Sequence, residues 1–128
     1  MRRPALALAL LSLAVIVAAV LTIGGPEQAR AERRDAQRMT DLHTLGRHLT
    51  CLLDQELELG DASDTCPPPP QVADPKTSDP YQITRTSHVI FRVCANFERP
   101  THAETLTYRA DFDREAGCLV LRRTQSRP

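Results

Sequence analysis

An α+β fold is what this 128-residue sequence predicts, attached to one membrane-spanning helix. Three observations carry that expectation. They are an unbroken apolar run near the N-terminus, a leucine stripe at spacings of three and four over residues 39–57, and apolar residues that alternate from position 81 onward. Helix signals followed by strand signals mean an amphipathic helix packed on a small antiparallel sheet.

The apolar run extends from Ala5 to Ile23 and is interrupted only by Ser12 and Thr22. At 1.5 Å per residue it measures about 28 Å, close to the hydrocarbon thickness of a bilayer. A core helix of a small soluble domain needs a polar face, and this run has none. Ala5–Ile23 is therefore the expected membrane contact. Two readings stay open for residues 1–26. As a signal-anchor, the segment remains in the membrane; as a signal peptide, it is cut after Ala29-Arg30-Ala31, which fits the small-x-small rule. The length of the run, and the distance of that site beyond its end, favour the anchor.

Gly24-Gly25-Pro26 breaks the chain past the membrane, and residues 27–128 form the expected extracytoplasmic domain. Helix formers continue from Glu27 to about Leu59. Arg30 to Arg38 is nearly all charged or small and reads as a solvated helix near lipid headgroups. Met39, Leu42, Leu45, Leu49, Leu52, Leu53 and Leu57 then form the packing face, and Gly60 ends the helix. A turn-rich loop occupies residues 61–80 and contains Pro67-Pro68-Pro69-Pro70. It reads as an extended loop, with a polyproline II recognition segment as the functional alternative.

Strands are expected at Tyr81–Thr86, through Val89, Phe91, Val93, Ala95 and Phe97, through Leu106, Tyr108, Ala110 and Phe112, and at Leu119 with Leu121. A turn at Arg114–Gly117 precedes the last.

The order of these elements, with Asp74-Pro75 and Pro80-Tyr81 leading into the first strand, resembles the type II secretion pseudopilins and the wider type IV pilin-like group. The resemblance implies a pilin-like layout and candidate partners among other pilin-like or envelope proteins. Pilin-like precursors also carry a Gly-Phe-Thr-Leu-x-Glu peptidase site ahead of the apolar helix, and Met1–Leu10 has no glycine, phenylalanine or acidic residue.

All four cysteines follow the membrane segment, and an even number in a small exported domain implies disulfides. At about 100° per residue, Cys51 lies opposite the face of Leu42, Leu49 and Leu53, away from the sheet. Cys66, a few residues past Gly60, can fold back to it. Cys94 and Cys118 fall on strand faces opposite Phe91 and Leu119, hence on the outer face of the sheet. The expected pairs are Cys51–Cys66 and Cys94–Cys118, and the second requires the last strand to lie beside the Cys94 strand.

Charge and motifs narrow the function. Sixteen basic residues balance sixteen acidic ones, which argues against a nucleic-acid partner. Few aromatics and no tryptophan argue against an aromatic-lined small-molecule site. Zinc or redox chemistry would want Cys-x-x-Cys, which is missing. His43 and His48 lie on different sides of their helix. Asp111, Asp113 and Glu115 alternate like the start of a calcium loop, but Arg122 stands where the closing glutamate would be. Neither a nucleophile elbow nor a phosphate loop occurs. The expectation is a non-enzymatic protein without a cofactor, single-pass in a bacterial inner membrane, its C-terminal domain in the periplasm or outside the cell. It would act by protein–protein contacts, with a minor pseudopilin-like component or a secreted binding module as alternatives.

Overall fold

The computed structural model describes residues 2–99 and 110–123. Two helices, α1 (Arg2–Ile23) and α2 (Pro26–Asp54), precede strands β1 (Gln82–Ser87), β2 (Ile90–Cys94), β3 (Ala110–Asp113) and β4 (Cys118–Arg122). The sequence position of these elements is α+β, as the patterning predicts. The chain divides into two compact units, Met1–Arg33 and Arg34–Pro128.

In the first unit, α1 is the helix long and apolar enough to cross a membrane, and none of its apolar window is buried within the protein. The two hydroxyl residues of its apolar stretch turn inward on the backbone: Ser12 Oγ donates to the Leu8 carbonyl and Thr22 Oγ1 to that of Ala18, each at 2.9 Å. Satisfied in this way, neither hydroxyl is left with an unmet donor. Gly24 adopts φ 89° and ends α1; Pro26 then starts α2, where a missing N–H costs nothing.

In the second unit, Leu42, Leu45, Leu49, Leu52 and Leu53 of α2 pack against Phe91 and Val93 of β2 and Leu119 and Leu121 of β4. Gly46 sets how closely the helix approaches. A Cβ there would stand 3.1 Å from a Leu119 methyl and 3.3 Å from one of Leu121. Phe97 and Phe112 close the edge of this core edge-to-face, their centroids 5.7 Å apart.

The helix ends earlier than glycine punctuation predicts, at Asp54 instead of near Leu59. Glu56 takes the left-handed conformation at φ 58°, its N–H bonds the Leu53 carbonyl, and Leu57 N–H bonds that of Leu52 at 2.9 Å. This is a Schellman cap with glutamate where glycine is usual, and Leu57 against the core supplies its apolar contact. Gly60, at φ 90°, serves the following turn instead.

The sheet is fully antiparallel in the order β1-β2-β4-β3. Placing β4 between β2 and β3 sets Cys94 directly opposite Cys118. The second strand is shorter than its alternation suggests and stops at Cys94. Ala95 still donates to the Gly117 carbonyl at 3.0 Å, and the chain then turns toward α2. Gly117 is required at that contact: with φ 65°, a Cβ would lie 2.5 Å from the Ala95 oxygen. The expected strand positions Leu106 and Tyr108 lie outside the described residues.

Candidate functional site

The most highly organised polar feature of the domain is a cluster built on Arg38. Its position continues the leucine stripe of α2 one turn toward the N-terminus, and it is 2% exposed. The Arg30–Arg38 segment is therefore not uniformly solvated, as its composition suggests. Its inner face, Arg34, Asp35 and Arg38, is covered by the 74–81 loop and by residues 96–99.

Arg38 grips Asp74 with two parallel bonds, Nε to Oδ2 at 2.6 Å and Nη2 to Oδ1 at 3.0 Å. Its Nη1 donates to Asp35 at 2.8 Å and to Glu98 at 3.0 Å. Arg34 holds Glu98 in the same bidentate manner, at 2.7 and 3.0 Å, and Lys76 Nζ joins it at 2.9 Å. Asp35 in turn accepts the backbone N–H groups of Glu98 and Arg99 at 2.9 and 2.7 Å. Three cations thus neutralise three carboxylates, with planar forks matched to planar acids.

The Asp74-Pro75 and Pro80-Tyr81 pairs explain why the loop reaches this point. Asp74 Oδ1 also accepts the N–H groups of Lys76 and Thr77, at 2.8 and 3.1 Å, which winds the loop around the carboxylate. An isolated bridge between Ala73 and Pro80 closes it. Next to it, the buried Tyr81 hydroxyl donates to Asp41 on α2 at 2.7 Å, and Gln37 donates to the other oxygen of Asp41 at 2.8 Å.

Electrostatics lock these groups in single protonation states. The Arg38 bond holds Asp74 at about 2, and Arg34, with Lys76 and Arg38, holds Glu98 far below the carboxylate range. The carboxylates bound to Arg38, Asp74 first among them, raise its own affinity for its proton. Burial, followed by the bond to Asp41, pushes the Tyr81 phenol well above its ordinary value. Through the Arg38 fork and the N–H groups that Asp74 accepts, the cluster attaches α2 to the 74–81 loop. A groove of about 570 Å³ opens beside it, lined among others by Lys76, Asp79, Gln82 and Asn96.

The other sequence candidates are dispersed. Asp113 caps the β3–β4 turn, accepting from Glu115 and Ala116 N–H groups at 3.2 and 3.1 Å, and pairs with Arg92. Asp111 faces Arg122 at 3.7 Å and Glu115 is exposed, so the three do not converge into a ligand set. His43 and His88 are exposed, His48 Nδ1 stands 2.8 Å from the Pro67 carbonyl, and His102 lies outside the described residues. Among the described residues no group of three or more His, Cys, Asp or Glu could hold a metal. Disulfides join Cys51 to Cys66 and Cys94 to Cys118, with Cα atoms 5.7 and 4.1 Å apart. Glu58, beyond the end of α2, pairs with Arg85, and Glu56 with Arg123 at 2.6 Å.

Sequence reasoning missed the Arg38 cluster because charge was read as solvent exposure. The signal was present: Arg38, Asp41, Leu45 and Leu49 share the spacing of three and four that marks the buried face. An apolar helix, an amphipathic helix, a small antiparallel sheet and disulfides make up a pilin-like layout, and they fit a single-pass membrane protein with an oxidised extracytoplasmic domain. No protein-family model, curated protein or solved structure matches the chain.

Proposed function

We propose that this protein is a signal-anchored component of a bacterial inner membrane, whose disulfide-bonded domain lies in the periplasm or outside the cell and acts through protein contacts. The observation that carries the reading is one chain combining a helix with no buried apolar face and a domain whose four cysteines are all paired. Lipid is the partner that such a helix can satisfy, and disulfides persist outside the reducing cytoplasm. The test is alkaline carbonate extraction of host membranes, with protease digestion of spheroplasts. The protein is expected to stay with the membrane pellet, its domain cut only from the outer side. Release by carbonate, or protection of the domain in intact spheroplasts, contradicts the reading.

A minor pseudopilin-like component of a secretion or pilus system is the second reading, supported by the pilin-like order of elements. It predicts co-purification with pilin-like subunits and loss of secretion on deletion.

A further inference from the structure

The fold sets its two disulfides in different surroundings. Cys66 belongs to the leucine-lined core, and Cys51 packs against it. Cys94 and Cys118 pack outside that cluster. They alternate with the core residues Val93 and Leu119, so their side chains leave the opposite face of the sheet. Cys94 ends β2 and lines the groove of about 570 Å³ together with Lys76, Gln82 and Asn96. Cys118 is 4% exposed and takes no part in that lining.

Thiol–disulfide exchange asks for access to one sulfur, surroundings that tolerate a thiolate, and a second sulfur able to depart. The groove opens on Cys94, so a thiolate entering it meets Cys94 Sγ and not Cys118. Its polar lining solvates a charge that the apolar core around Cys66 would penalise. Cys118 Sγ lies 3.4 Å from the Ala116 carbonyl, an acceptor for its proton once it has left as a thiol.

Opening this bond also leaves the fold in place. Ile90–Cys94 stay paired with Cys118–Arg122 through the antiparallel ladder, and Ala95 N–H still bonds the Gly117 carbonyl at 3.0 Å. The two sulfurs remain opposed and can rejoin. Cys51–Cys66 has no such ladder behind it, since it joins α2 to the 61–80 loop.

We propose that Cys94–Cys118 is a site of reversible thiol–disulfide exchange, at which this chain is the substrate of an external dithiol. One thiolate of the dithiol attacks Cys94 Sγ. The S–S bond breaks, and its electron pair departs on Cys118 Sγ, which takes up a proton. The second thiolate of the dithiol then attacks the dithiol's own sulfur in the mixed disulfide. That step closes the dithiol's disulfide and releases Cys94 as a thiolate, which solvent protonates. Two electrons and two protons pass from the dithiol to the cysteine pair. The missing Cys-x-x-Cys is no obstacle, because the attacking pair belongs to the dithiol. This chemistry is a property of the folded domain and does not depend on the anchored role.

The test exposes purified full-length protein in lipid nanodiscs to dithiothreitol, quenches aliquots with N-ethylmaleimide and maps the labelled cysteines by peptide mass. Cys94 and Cys118 are expected to be labelled at least about tenfold faster than Cys51 and Cys66. With glutathione, a monothiol that has no second sulfur of its own, the early mixed disulfide is expected on Cys94 and the maleimide on Cys118. Equal rates would mean that the bonds open only by unfolding, and they overturn the proposal. So do faster opening of Cys51–Cys66, a glutathione adduct on Cys118, or no opening where the urea-unfolded chain is fully reduced. Carbonate extraction reads the anchor separately, so a Cys94–Cys118 bond that resists exchange leaves the anchored role standing.

Discussion

Leu49 and Arg38 lie about three turns apart on α2 and are equally withdrawn from water, at 0% and 2% exposure, yet they are held there by opposite chemistry. Around Leu49 the contacts are apolar, non-directional and shared among many neighbours, so small errors in shape are absorbed. Around Arg38 each donor is aimed at one oxygen, and removing any partner strands another charge. The difference teaches what each end of the helix specifies. The leucines drive burial against the sheet. The cluster determines which loop covers the helix, since the 74–81 segment has few apolar side chains to recommend it.

Breaking the comparison should show it. Arg38→Ala leaves Asp74, Asp35 and Glu98 without their shared cation, and a loss of about 3–5 kcal/mol is expected in urea unfolding of the domain. Leu49→Ala is expected to cost about 2–5 kcal/mol by opening a cavity. The two differ in rescue. Arg38→Met combined with Asp74→Leu should recover only part of the first loss, because it removes one of the stranded carboxylates and leaves Asp35 and Glu98 without Arg38, while no polar substitution rescues the second. Failure of that rescue would show that the cluster contributes more than charge compensation.

Tyr81→Phe sharpens the boundary between the halves. It keeps the ring in the core and removes the bond to Asp41, for an expected loss of about 2 kcal/mol. Acid should loosen the ionic half first. Asp74 is lowered by folding from 3.8 to about 2, so its contribution is complete above its unfolded value and is lost as pH falls through its folded one. The melting temperature is expected to drop between about pH 4 and about pH 2, and Asp74→Asn should flatten part of that slope. The smallest effect belongs to Arg92→Ala. Its pair with Asp113 is over a third exposed on both sides, and about 0–1 kcal/mol is expected.

Much of the fold was legible because two periodicities carry it. The spacing of Leu42, Leu45, Leu49, Leu52 and Leu53 marked the buried face of α2, and Phe91 and Val93, with Leu119 and Leu121, marked that of the sheet. Helix angle set Cys51 off the leucine face, where Cys66 meets it. Element ends were harder to read. Glu56 in a left-handed cap has no composition signature, and Ala95 and Phe97 alternate like a strand although their segment leaves the sheet. The Arg38 cluster was hidden for another reason: helical spacing sets Arg38 on the buried face, but its partners lie 36 and 60 residues away at Asp74 and Glu98, and nothing local identifies them.

The central claim is an uncleaved anchor carrying an oxidised domain, and intact mass of the protein recovered from host membranes tests it directly. The expected result is the full-length mass, gaining four alkyl groups on alkylation only after reduction. A chain beginning at Glu32, or four thiols alkylated without reduction, would contradict it.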